Sequence, residues 1–451
     1  MPFGEEGKPM PKAGVRNRLT RRRLLGLAAV SAGAAFSGPV LTGCGKDSAK
    51  GGGGSTSLTF MNQSRGQAKA LDKLVETYQK QTGVRVTIDS PGPTNFPAKL
   101  QSKSQSGDMP DVYSTLTLPE MIPYYKAGWA MNLEPKLTGE WKGNFSPIAL
   151  DLTSVRAGSV SGLDAGIYSA HWEIQTMGLL LNTKTFESAG TDPKAPPATT
   201  DAWIEQLKTV SAKSGNGAFL MAASLADRFL LSHASNWLTD AEIDATLAGK
   251  ASWKSDGWRK GLQLLAELRD AGVIVNKTLP GGNDDNPTVE KGFFNVQDTP
   301  AIFDASVAIG VARATAPDFT EYVSMGIPKA ADGTQKPRVY GGVGKGACIN
   351  PKGKNVDAAV KFVQWLTEPE QAKVFVDMVG LIPANPKVTA ADLPPQVAGF
   401  ASLADAIEVV PSPFSPDART ALISGVQSLV LKEKTVDQVL DDMETAQKRA
   451  K

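Results

Sequence analysis

Beyond residue 57 the apolar positions switch between two periods. Residues 58–62 read as a short strand, and Leu71, Leu74, Val75 and Tyr78 then fall on one face of a helix that Gly83 stops. Val84, Val86 and Ile88 alternate with polar neighbours as a second strand. A further helix runs to Ser106, Gly107 ends it, and residues 111–115 form a third strand. This strand–helix order predicts a parallel sheet layered by helices. The pattern resumes with a strand at 178–182, a turn at Pro196-Pro197 and a helix at 201–211 whose apolar stripe is Trp203, Ile204, Leu207 and Val210. Thr367-Glu368-Pro369-Glu370 has the form of a capping box for a helix closed by Gly380, and Thr435 with Gln438 opens the last helix in the same way. No internal repeat or heptad run interrupts this alternation.

About 394 residues follow position 57, more than one hydrophobic core usually serves, so two lobes are expected. The segment before them has a different character. Residues 1–23 hold seven basic side chains and two acids, whereas residues 24–41 are uncharged but dominated by Ala, Gly, Ser and Val. A membrane span needs about 20 strongly apolar residues, so this segment reads as a removable signal rather than a permanent anchor. Thr20-Arg21-Arg22-Arg23-Leu24-Leu25 resembles a twin-arginine export signal, and Leu41-Thr42-Gly43-Cys44 resembles a lipobox cut before its cysteine. Residues 1–43 are therefore expected to be removed, leaving Cys44 lipidated at the start of a flexible linker, residues 44–57. The expected location is extracytoplasmic, on a lipid anchor.

Removing residues 1–43 takes seven basic and two acidic residues from totals of 48 and 46, leaving 41 and 44 and a net charge near −3. A nearly neutral chain without a basic cluster gives no support to nucleic-acid binding. Cys44 and Cys348 are the two cysteines. With Cys44 committed to lipid, no intrachain disulfide and no paired-cysteine metal site is available, and Cys348 reads as a small buried residue. Neither a metal nor a cofactor is expected.

Several segments, in order and spacing, resemble the extracellular solute-binding protein family 1 of ABC importers, which contains maltose- and other sugar-binding proteins. They are Gly107-Asp108-Met109-Pro110-Asp111-Val112-Tyr113, Gly166-Ile167-Tyr168, residues 178–186, Pro196-Pro197-Ala198-Thr199, Gly341-Gly342, residues 349–370, and Leu381-Ile382-Pro383-Ala384-Asn385. The resemblance spans residues 58–450. It implies a two-lobe α/β periplasmic-binding-protein fold, type II, with a hinged cleft. The chain should cross near residues 168–172, 338–342 and 381–385, placing 58–168 and 342–384 in lobe one and 172–338 and 390–451 in lobe two. It also implies capture of a sugar or related polyol by hinge closure, by a monomer that delivers it to an ABC permease.

Ligands of open α/β sheets meet the loops at strand carboxyl ends. Those loops offer Asn62, Gln63, Ser64, Ser114, Thr115 and the crossover residues His171, Trp172, Glu173 and Gln175. The family pattern adds Asp227, Asn236, Trp237, Asp304, Ser306, Tyr340 and Gly341. Amides and carboxylates suit sugar hydroxyls, and aromatic faces suit sugar C–H surfaces. Trp172 and Trp237 are read as cleft or packing residues, Glu173, Asp227 and Asp304 as contacts or paired charges, and Trp203 and Trp365 as core. Many sugar-binding members carry an aromatic where this chain has Val307, so the stacking surface is smaller or comes from Phe303, Tyr340 or Phe414.

Amino-acid and iron ligands fit less well, because only Arg65, Arg228 and Arg338 lie near the loops and Tyr124-Tyr125 falls in a predicted helix. A cationic solute is the alternative to a sugar. Residues 341–346 lack the first glycine and the Ser/Thr of a phosphate loop. No serine-hydrolase elbow or zinc-protease helix is present, which disfavours a secreted hydrolase; a sensor subunit is a further alternative.

Overall fold

A computed structural model describes residues 56–92, 95–116, 118–282, 284–408 and 414–449. Cys44, the expected signal and all but the last two linker residues lie outside them. The main elements begin with β1 (Ser57–Met61), α1 (Ala68–Thr82), β2 (Arg85–Asp89), α2 (Phe96–Ser106) and β3 (Val112–Ser114). The chain leaves this group through β4 (Ala170–His171) and the long β5 (Glu173–Asn182). Next come α3 (Thr200–Ser214), β6 (Phe219–Met221), α4 (Ala226–Ala234), α5 (Asp256–Asp270), α6 (Asp285–Glu290), β7 (Ala301–Ala305), α7 (Ala308–Thr315) and β8 (Tyr322–Met325). β9 (Val339–Val343) and β10 (Gly346–Ile349) lead to α8 (Val356–Leu366) and α9 (Pro369–Val379). β11 (Ile382–Pro383), β12 (Ile407–Glu408), α10 (Pro416–Val430) and α11 (Val436–Arg449) complete the chain.

Two sheets result. The first has the order β2-β1-β3-β10-β4; the second has the order β12-β9-β5-β7-β6, with β8 and β11 also on β5. In the first, β1 is parallel to β2 and β3, with Leu58 opposite Val86 and Phe60 opposite Val112. Neither sheet is wholly parallel, however: β10 runs antiparallel to β3, and β9 and β7 run antiparallel to β5. The expectation of a parallel sheet holds for the opening βαβαβ unit and for the pairs β6–β7 and β9–β12; the antiparallel neighbours arise because β5 and β10 arrive from the other sheet.

Local sequence explains the elements. Leu71, Leu74, Val75 and Tyr78 are the buried face of α1, and its end is turned by Gly83 at φ +74°, a left-handed conformation that costs glycine little. Thr435 and Gln438 form the reciprocal cap that opens α11, at 2.8 and 3.3 Å. The capping box at Thr367 does not form. Glu368 is the N-cap of α9 and makes no side-chain cap. The Thr367 hydroxyl instead donates to Gln364 O at 2.7 Å and accepts from Trp141 Nε1 at 3.1 Å, so tertiary packing has taken the capping group.

The second lobe packs Trp203, Phe219, Phe229 and Phe303 between β5–β7 and its helices, while the first packs Phe60, Tyr78, Phe362 and Phe375. Trp203 is fully buried and Trp365 half-buried against Tyr78. Cys348 is fully buried beside Tyr113 and Tyr125, and burial pushes its thiol up to about 12. Among the described residues no helix is long and apolar enough to cross a membrane.

The chain changes sheet at Trp172, between β4 and β5, and at Gly344–Lys345, between β9 and β10. The latter lies just past the expected 338–342. A third change follows α9, where β11 joins β5. Trp172 ties the three together: its N–H donates to Lys345 O at 3.1 Å, and its carbonyl accepts from Ala384 N at 3.0 Å.

Candidate functional site

Asn62, Gln63, Ser114 and Thr115 occupy the carboxyl ends of β1 and β3, all buried. Ser114 Oγ donates to Asn62 Oδ1 at 3.1 Å, and Gln63 Nε2 donates to Thr115 O at 2.6 Å. Asn62 Oδ1 also accepts from Ser64 N at 2.9 Å. Two strand-end loops are thus cross-linked by their own polar groups, while Thr115 Oγ1 is buried without a partner.

At the crossover, Trp172 stacks face to face on Phe375, with ring centroids 5.3 Å apart and planes within 2°. Its Nε1 donates to Gln67 Oε1 at 3.0 Å. The indole therefore faces the lobe-one core rather than open cleft. Glu173 is 2% exposed, and its Oε2 accepts from Gln67 Nε2 at 2.8 Å and from Lys345 N at 2.9 Å. Burial raises its pKa, which the Lys345 N–H and charge and the Gln67 and Gln175 side chains partly oppose. A Cβ on Gly344 would lie 2.5 Å from the Glu173 carboxyl carbon, so close strand approach accounts for a glycine in the 341–346 run. His171 places Nδ1 2.9 Å from Gly344 O and Nε2 2.9 Å from Ser169 Oγ; burial lowers its pKa to about 4, and the ring is neutral.

On the second lobe, Ser306 follows β7 and is clasped to β5, its N–H donating to Thr176 O at 2.9 Å and its Oγ accepting from Thr176 N at 3.3 Å. Gly341 pairs with Thr176 in the β9–β5 register. Asp227, in the first turn of α4, accepts from Arg419 Nε at 3.0 Å and Arg228 Nη1 at 3.2 Å. The Arg228 guanidinium lies 5.4 Å from the Tyr340 ring centroid. Asp304 is 1% exposed on β7. Asn236 and Trp237 stand apart from these groups. Asn236 Oδ1 accepts from Ala330 N at 2.9 Å, while Trp237 lies under Lys260, 5.2 Å from its ring centroid, so both serve the 330–335 loop and α5.

A cavity of about 170 Å³ lies between the loops after β1 and β7 and the crossover strands. Its lining brings together Gln63, Glu173 and Ser306 with Val307, Gln67 and Lys345. Gln67 and Lys345 were not among the candidates. Gln67 stands in the same post-strand loop as Gln63, a signal that could have found it, whereas the Lys345 contribution is a backbone N–H that no residue pattern marks. Ligand pockets usually measure about 300–1,000 Å³, so this arrangement suits a small solute or one end of a larger one. The lining includes amide, hydroxyl and carboxylate side chains among mainly apolar walls, residue types that can exchange hydrogen bonds with hydroxyls. Among the described residues no group of three His, Cys, Asp or Glu side chains is placed to hold a metal.

A family model described as bacterial extracellular solute-binding protein matches residues 73–401. A maltooligosaccharide ABC transporter solute-binding lipoprotein of Streptococcus pneumoniae is 27% identical over 342 residues, 71% of this chain and 70% of its own length. The crystal structure of a probable secreted solute-binding lipoprotein from Streptomyces coelicolor superposes with a TM-score of 0.68 at 20% identity, covering 86% of this chain and 98% of that one. That of the cyclic α-maltosyl-1,6-maltose binding protein from Arthrobacter globiformis gives 0.65 at 19% identity, covering 88% and 99%. The two structural likenesses establish the two-lobe α/β fold.

Proposed function

Because the chain belongs to the bacterial extracellular solute-binding proteins, we propose that it captures a sugar or related polyol between its lobes and delivers it to the permease of an ABC importer. The observation that carries this reading is the cavity where Gln63 of one lobe, Ser306 of the other and Glu173 of the crossover converge. The relatives named for maltooligosaccharide and cyclic maltosyl-maltose support a carbohydrate. Val307, without an aromatic face, favours a ligand held more by hydrogen bonds than by stacking.

Contacts from both lobes favour closure only through their differential affinity for the closed state. The protein acts as a monomer, without catalysis, and is held to the membrane by lipid on Cys44. The test is a thermal-shift panel of the mature chain with monosaccharides, maltooligosaccharides, polyols and polyamines. A rise in melting temperature with a sugar or polyol is expected. A response to polyamines alone, or turnover of a sugar, overturns the reading.

A further inference from the structure

The turn that joins β9 to β10 brings Lys345 to the cavity wall, and buried groups grip it from two sides. On one side is Glu173. Its carbonyl accepts from Gly344 N at 2.7 Å, and its Oε2 accepts from Lys345 N at 2.9 Å. On the other side is His171, whose Nδ1 lies 2.9 Å from Gly344 O. Neither side leaves room for a side chain on the turn. A Cβ on Gly344 would lie 2.5 Å from the Glu173 carboxyl carbon, and one on Gly346 would lie 2.8 Å from His171 Cγ. Any shift of the turn therefore moves the Lys345 N–H that Glu173 uses at the cavity.

His171 stands at the end of a chain of buried side chains. Its Nε2 is 2.9 Å from Ser169 Oγ, which is 3.1 Å from the hydroxyl of Tyr125 in the helix Leu118–Lys126. All three residues are at most 3% exposed. The hydrogen positions follow from the one partner whose role is fixed. A carbonyl oxygen only accepts, so His171 Nδ1 carries the hydrogen and donates to Gly344 O. Burial keeps the ring neutral, which leaves Nε2 as an acceptor, so Ser169 donates to it. That spends the Ser169 hydrogen, and Tyr125 donates to Ser169 in turn. The opposite tautomer would set the Nδ1 lone pair against the Gly344 carbonyl in a buried site.

We infer that His171 is a positioning residue of the cavity: as the Nδ1–H tautomer, set by Tyr125 and Ser169, it pins the 344–345 turn so that the Lys345 N–H orients the Glu173 carboxyl. This rests on the cavity being the solute site. His171 is not part of the cavity lining, so its effect on binding passes through the turn.

The test compares the wild type with His171→Gln and His171→Asn. An asparagine amide can replace the Nδ1–H donor, whereas a glutamine amide reaches toward the Nε2 position. Imidazole ¹⁵N shifts of the wild type are expected to show a protonated Nδ1 and a bare Nε2. Amide hydrogen exchange at Gly344 and Lys345, referenced to amides of α3, should be about tenfold faster in His171→Gln and be rescued in His171→Asn. Maltotriose affinity by calorimetry should follow the same order, falling about tenfold in His171→Gln. The tautomer is read on the wild type and decides the outcome even where a variant does not fold. An Nε2–H tautomer, or exchange rates or maltotriose affinities equal in wild type and His171→Gln, overturns the inference. A wild type that binds neither maltotriose nor any other sugar instead counts against the solute-site reading, and the tautomer and exchange rates still decide the role of His171.

Discussion

Gln67 Nε2 donates to Glu173 Oε2 at 2.8 Å while its Oε1 accepts from Trp172 Nε1 at 3.0 Å, so one amide holds both residues at which the chain leaves the first sheet. Gln67→Leu strips a donor from a buried carboxylate and an acceptor from a buried indole. We expect a loss of about 1–3 kcal/mol, read as a lower urea midpoint. An unchanged midpoint would mean that the Lys345 N–H alone satisfies Glu173.

Asp227 joins helices far apart in the chain through Arg419, with Arg228 on its other oxygen. Both arginines are partly exposed, which tempers the charge contribution. Asp227→Asn is expected to cost about 1–3 kcal/mol, and the same change in an Arg419→Gln background less. A double-mutant cycle in denaturant checks this; additive costs would show that the pair is not coupled.

His171 has a folded pKa lowered by burial to about 4. The unfolded chain therefore binds a proton, with an ordinary value near 6.5, that the native ring refuses. The stability this confers is present above the unfolded value and is lost as pH falls from about 6.5 to about 4. It amounts to about 3 kcal/mol at the foot of the window. Melting temperatures at pH 7 and pH 4.5 are expected to differ less in His171→Asn than in the wild type. His233, lowered for the same main reason, supplies a second contribution in the same window.

Cys44→Ala is expected to leave ligand binding intact and release the protein from the membrane fraction. Fractionation followed by immunoblotting reads this directly. Persistence in the membrane would remove the lipid-anchor proposal without touching the family assignment.

The helical face of α1, the glycine stops at Gly83 and Gly107, and the cap at Thr435 were legible because each depends on neighbours within one turn. The box at Thr367 was misread for the complementary reason. Its hydroxyl meets Trp141, 226 positions away, and no local pattern carries that contact. The candidate residues divide in the same way. Strand-end position marked Gln63, Glu173 and Ser306, which line one cavity, but residue type also marked Asn236 and Trp237, whose partners lie in the 330–335 loop and α5.

By itself the sequence determined the periods of the elements, their glycine stops, a nearly neutral net charge and the ordered segments that mark its family. These follow from steps of two or of about 3.6 residues and from composition, which need no distant partner. Only the tertiary structure decided how the polar groups are spent. Gln67 finds Glu173 across 106 residues and Asp227 finds Arg419 across 192, because packing two lobes around three crossings brings buried donors to buried acceptors.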